Sequence, residues 1–164
     1  MTITQIAEKM IVFSDGNLHD IRHFLEVWAY AKLIAEQEKI DDEAKKITEI
    51  AALTHDIACP LCRKKYGNTD GRLQEIEGEP LVREFLCGTG LSEKEIDRVA
   101  FLVAHHHNYA KVDGIDYQIL LEADYIVNAS ENEYAKQSIE KFMAKVMKTE
   151  SGTRLLRAVF ALKK

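Results

Sequence analysis

Apolar residues recur along this chain at intervals of three and four almost throughout, and only two prolines interrupt them. That spacing is the stripe of an amphipathic helix, so the expected fold class is all-α. A short first helix starts at Thr2 or Thr4 and stops near Ser14-Asp15-Gly16. Asn17, followed by Asp20, caps a long helix to about Lys39, and Asp41 caps the next, to about Asp56. Residues 59–70 carry Pro60, Gly67 and Asn68 and read as a loop. A helix over 73–87, strained by Gly78 and Pro80, ends at CGTG. Ser92 with Glu95 is a capping box opening a helix to about His107. NYAKVDG then forms a loop, and helices over 115–130, 132–148 and 152–162 complete the chain. No repeat, low-complexity segment or linker divides it. The expectation is one compact bundle of about six to eight helices.

At 164 residues the chain is long enough for a substantial core in one domain. Its 46% hydrophobic and 30% charged residues exclude a disordered segment. A formal charge of −5 argues against a general nucleic-acid binder, without excluding a small anion in a local basic pocket. No apolar run is long enough to span a bilayer, so no membrane association is expected. The opening MTITQIAEKMIVFSDG lacks the basic start and apolar stretch of a signal peptide. Three cysteines do not make a disulfide scaffold, and the expected setting is a reduced cytoplasm.

The unusual residues are six histidines: His19, His23, His55, His105, His106 and His107. His23 shares a stripe with Val27, Tyr30, Ala31 and Ile34; His55 follows Ile47, Ala51 and Ala52; His106 follows Val99, Leu102 and Val103. Three histidines from three helices thus project from core-directed faces. A lone histidine in such a place is usually a satisfied core residue. Asp124, flanked by Leu120, Leu121 and Val127 on a fourth helix, is different, because a buried carboxylate needs a cation or several donors. Imidazoles and carboxylates converging from facing helices are a recurrent metal site in helical proteins.

The order His23, then His55-Asp56, then Asp124 resembles the H…HD…D signature of the HD-domain metal-dependent phosphohydrolase superfamily. DIRHFLEVWAYAKLIA resembles that family's first ligand helix, EIAALTHDIA its HD helix, AFLVAHHH the helix bringing further histidines, and LLEADYIV the one bringing the last aspartate. The likeness covers roughly residues 17–130 of a single HD domain over 1–164, with a short N-terminal helix and C-terminal helices packed on it. It implies that His23, His55, Asp56 and Asp124 ligate a divalent metal: Mn, Fe, Zn, Ni, Co or Mg. His19 is the rival for the first position but precedes the apolar stripe. Family members with two metals place another histidine after the HD pair, where this chain has GRLQEIEGEPLVREFL. Gln74, Glu75 or Glu77, with His105 and His106, would have to line a second site. Some members with one metal carry a glutamate three residues after the HD aspartate, where this chain has Cys59.

The resemblance implies a metal-activated water attacking a phosphate ester or anhydride of a small metabolite or nucleotide. Asp56 is the candidate to orient that water and take its proton, and His105 or His106 to protonate the leaving oxygen or hold phosphate. Arg63, Lys64, Lys65 and Arg72 are candidate phosphate contacts, their alternative being a solvated loop. Successive helical residues turn by about 100°, so the three adjacent histidines cannot share one target. His106 fits the buried stripe, His105 its edge, and His107 faces solvent or caps the helix. Cys59-Pro60-Leu61-Cys62 has zinc-site spacing but no partner pair, so small loop residues are the plainer reading. Two other functions stay open: a metal-containing nucleotide-binding or regulatory module without turnover, and a helical interaction protein with core histidines. A homodimer is the first oligomer to test for.

Overall fold

The computed structural model describes residues 1–162, and these form nine helices and no strand. They are α1 (Ile3–Phe13), α2 (Leu18–Gln37), α3 (Asp42–Thr54), α4 (Cys59–Tyr66), α5 (Gly71–Leu86), α6 (Glu93–Val103), α7 (Ile115–Glu131), α8 (Lys136–Lys145) and α9 (Glu150–Val159). The caps lie where side-chain chemistry puts them. Thr2 and Gln5 form one capping box, Ser92 and Glu95 another, and Asn17 and Asp41 accept from the first turns of α2 and α3.

The expected loop over 59–70 is where the fold departs from the sequence reading, because most of it is α4. Pro60 occupies the first turn, where a missing N–H costs nothing and the fixed φ favours the helix. Gly67, at φ 74°, is the left-handed residue that ends it. Two residues that read as breakers are a start and a stop. The strain expected at Pro80 does not interrupt α5, which runs through it. Gly78 lets α5 approach α6 closely: a Cβ there would lie 2.9 Å from Val103.

The bundle is organised around α7, which is buried almost from end to end. One side packs with α2 and α3, which also pack on each other, while α6 packs on α3 and pairs with α5. The other side of α7 presents Tyr125, Ile126 and Ala129 to Ile139, Met147 and Leu156 of the C-terminal segment. No described helix is long and apolar enough to cross a membrane.

Two polar ties hold these layers in register. Lys46 of α3 reaches Glu95 of α6 at 2.7 Å, while Glu95 also accepts from the Ser92 backbone. On the far side, Glu122 of α7 is completely buried, with no cation beside it among the described residues. Its carboxylate instead accepts from the Gln118 amide at 2.7 Å, the backbone N–H groups of Lys148 and Thr149 at 2.6 and 3.0 Å, and the Thr149 hydroxyl. These donors dock the start of α9, and Gly152 is required there because a Cβ would collide with the carboxylate.

Glu122→Ala strands several buried donors and is expected to lower stability by at least about 2 kcal/mol, read as a lower urea midpoint at unchanged slope. The lysine and the Ser92 backbone and hydroxyl bring the Glu95 pKa down from 4.5 to about 2. A carboxyl depressed on folding stabilises above its unfolded pKa and loses that contribution as pH falls towards the folded value. Acid titration of Glu95→Gln should therefore show less stability loss than wild type between pH 4.5 and 2.

Candidate metal centre

Four segments meet beside the middle of α7. α2 brings His23, the turn after α3 brings His55 and Asp56, the turn after α6 brings His106 and His107, and α7 brings Asp124. His55 and His106 are almost fully enclosed, and His23 and Asp124 nearly so. His23 Nε2 lies 3.1 Å from His55 Nε2, 3.5 Å from Asp56 and 3.3 Å from Asp124. His55 Nε2 lies 3.4 Å from Asp124 and 3.7 Å from Asp56, and His106 Nε2 lies 3.4 Å from Asp56.

The opposite ring nitrogens fix which way each lone pair points. His55 Nδ1 is 2.9 Å from the Ala52 carbonyl and His106 Nδ1 is 2.8 Å from that of Val103. Only an N–H can bond a carbonyl, so both rings carry hydrogen on Nδ1, and in the neutral ring Nε2 is bare. Helix termination provides these acceptors, because the last carbonyls of a helix have no intrahelical partner. His23 Nδ1 faces the Glu131 carboxylate at 3.0 Å, which favours the same tautomer.

Three bare Nε2 atoms thus face two carboxylates, and two of the nitrogens nearly touch. Such a cluster demands positive charge at its centre. In the metal-free protein a proton supplies it: burial lowers the His23 pKa, but the Asp124 hydrogen bond and the charges of Asp56, Asp124 and Glu131 outweigh it, leaving the value about 10. Asp124 is pushed down, its burial overcome by His23 and His55; Asp56 is pushed down by His55, His106 and His23 against the same penalty. His106 Nε2 is still a buried atom with no hydrogen-bond partner. His23, His55 and Asp56 have donor atoms close enough to share one ion, and Asp124 borders both histidines. Mixed imidazole and carboxylate donors suit a borderline divalent transition ion.

A cavity of about 270 Å³ opens onto His23, Asp56 and Asp124. Around its wall stand Asp20, Cys59, Arg63, Gln74, His107, Asn128 and Glu131, with His19 at the exposed rim. Of the four expected phosphate contacts, only Arg63 lines it, and its guanidinium is bound to Asp20. Lys65 turns instead to Glu77 at 2.6 Å, while Lys64 and Arg72 are exposed. Glu77 is thereby occupied away from the cluster, Glu75 accepts from the His107 backbone, and Gln74 reaches the cavity, its amide oxygen accepting from the Cys59 thiol at 3.2 Å. Burial pushes that thiol far above its ordinary pKa.

The triple histidine divides differently from its helical reading. α6 stops at Val103, so His105–His107 lie on a turn, where the 100° rule does not hold. His105 folds back onto Phe101, with ring centroids 4.3 Å apart, and stays outside the cavity. His107, expected at solvent, lies against His106 at 3.8 Å on the cavity wall, its Nε2 buried without a partner. Burial and the neighbouring His106 lower its pKa to about 4. Asn128 and Glu131 were not singled out by the sequence reading, although they stand four and seven residues beyond Asp124 on one helical face.

An all-helical protein with a buried imidazole–carboxylate cluster open to a polar cavity is thus defined by geometry alone. The HD domain family model matches residues 20–147, and the chain belongs to that family. It is also similar in fold to a predicted HD superfamily hydrolase from an uncultured Thermotogales bacterium. That crystal structure superimposes with a TM-score of 0.69 at 23% identity, over 96% of this chain and 84% of the other. A comparison with curated proteins finds no match.

In metal-free protein the His23 imidazolium should persist in NMR spectra until about pH 10. Glu131→Gln removes one of the charges that raise this pKa, so its midpoint should move to lower pH; an unmoved midpoint would contradict the contact.

Proposed function

We propose that the protein is a metal-dependent phosphohydrolase acting on a phosphate ester or anhydride of a small metabolite or nucleotide. The observation that carries this reading is the 3.1 Å approach of two buried Nε2 atoms, beside two carboxylates, at the floor of a cavity. The fold neighbour's name, a predicted hydrolase, agrees with it.

His23, His55, Asp56 and Asp124 would hold the ion, which when bound supplies Lewis acidity, lowering the pKa of water and neutralising phosphoryl charge. Asp56 keeps a quarter of its side chain open to the cavity, and one of its oxygens lies 3.4 Å from His106 Nε2. It orients the attacking water and takes its proton. Arg63 reaches phosphoryl oxygens from the rim by exchanging its partner Asp20. His107 offers its unpartnered nitrogen to the leaving oxygen. His105 has no part in this arrangement.

A second reading, a metal-containing nucleotide-binding or regulatory module without turnover, is favoured by two features. Cys59 stands buried and unreactive where an acid–base group would be useful, and Arg63 is already engaged by an acid.

Protein purified anaerobically should contain a stoichiometric transition metal and release phosphate in a broad ester and nucleotide screen. Asp124→Ala should lose the metal, and Asp56→Ala should lose at least about a hundredfold in turnover. Retention of metal and activity by both variants would overturn the assignment. Tight nucleotide binding without phosphate release under every metal would favour the second reading.

A further inference from the structure

Beside the metal cluster lies a second cavity of about 280 Å³, which shares His107, Asp124 and Asn128 with the first. Among the described residues its remaining walls are aromatic: Tyr109, Tyr125, Tyr134 and Phe142. They come from the α6–α7 connection, α7, the α7–α8 connection and α8.

The ring planes decide what such walls can hold. Tyr125 and Phe142 are parallel, with centroids 3.3 Å apart, so they close on each other and admit no flat ring between them. Tyr109 meets Phe142 at 87° and Tyr134 meets Tyr125 at 55°. Faces set at steep angles make a box and not a slot. A nucleobase stacks best in a slot; an ammonium group, attracted to ring faces from several directions, suits a box.

Charge points the same way. Among the described residues no lysine or arginine lines the aromatic cavity, and its shared wall carries Asp124. The adjoining cavity adds Asp20, Asp56 and Glu131 against a single arginine. Burial and neighbouring charge keep the Tyr109 and Tyr125 phenols protonated, so the walls remain neutral and electron-rich. The Asn128 amide donor is turned to Asp124 at 2.8 Å, which removes a group that would repel a cation.

We infer that this aromatic box receives the alkylated ammonium end of a short amino-alcohol phosphate, whose phosphate lies over the His23–His55–Asp56–Asp124 cluster. The phosphate end rests on the phosphohydrolase reading, while the box rests on its own geometry. In the reaction, the water oxygen forms a new P–O bond and the ester P–O bond breaks. The proton released by water goes to the departing alkoxide, giving inorganic phosphate and the free amino alcohol.

Calorimetry with choline, and with its uncharged isostere 3,3-dimethylbutan-1-ol, tests the box without requiring turnover. Choline should bind about tenfold more tightly, and Tyr109→Leu with Tyr134→Leu should abolish the difference. These two tyrosines are 43% and 42% exposed, so the double variant should retain the wild-type thermal melt. Phosphocholine should be hydrolysed with a higher kcat/KM than ethyl phosphate or adenosine monophosphate. Equal binding of the isostere, no choline binding, or preference for adenosine monophosphate would each overturn the inference. Charge-selective choline binding with no phosphate release from any ester would keep the box and sink the phosphohydrolase reading alone.

Discussion

Two imidazole nitrogens 3.1 Å apart in a protein interior need a proton or a metal ion between them. The bundle creates this demand through its helix ends. α3 and α6 stop beside the cluster, and each stop leaves a carbonyl that takes the Nδ1 hydrogen of a histidine three residues on. The same termination that gives the backbone its turn therefore selects the tautomer and aims the lone pair. α7 completes the arrangement with Asp124 and Glu131, whose negative charge makes a cation welcome, and with Asn128, whose amide donates to Asp124.

Much of this was legible from residue order because it depends on local rules. Caps at Thr2, Asn17, Asp41 and Ser92 announce four helix starts, and the stripes behind His23, His55, His106 and Asp124 direct those residues inward. What escaped depends on where a helix stops or what lies across from it. His107 was misplaced because the helical rotation was extended four residues beyond Val103. Helix α4 was hidden because proline and glycine have different meanings at the two ends of a helix. Three adjacent basic residues look equivalent in sequence, yet Asp20 draws Arg63 to the cavity while Glu77 draws Lys65 away from it. No periodicity could supply those cross-helix partners.

The C-terminal segment contributes more than cover for the core. α8 carries Phe142 to Tyr125, and the buried acceptor Glu122 fastens the α8–α9 connection to the same central helix. The metal cluster and the aromatic cavity thus share α7 as a common wall, one through Asp124 and the other through Tyr125. Asp124 and Asn128 border both chambers, whereas Tyr125, one helical step on from Asp124, borders only the aromatic one.

Gly78 gives the fold an unexpected line of leverage. It sits on α5, one turn beyond Gln74, and lines neither cavity itself, and the nearest atom to its missing side chain is a methyl group of Val103. Val103 is also the residue whose carbonyl steers the His106 ring. A methyl group gained at Gly78 would thus be transmitted through one van der Waals contact and one hydrogen bond to a donor atom of the cluster. The placing of the His106 ring thus depends on how closely α5 and α6 are able to lie.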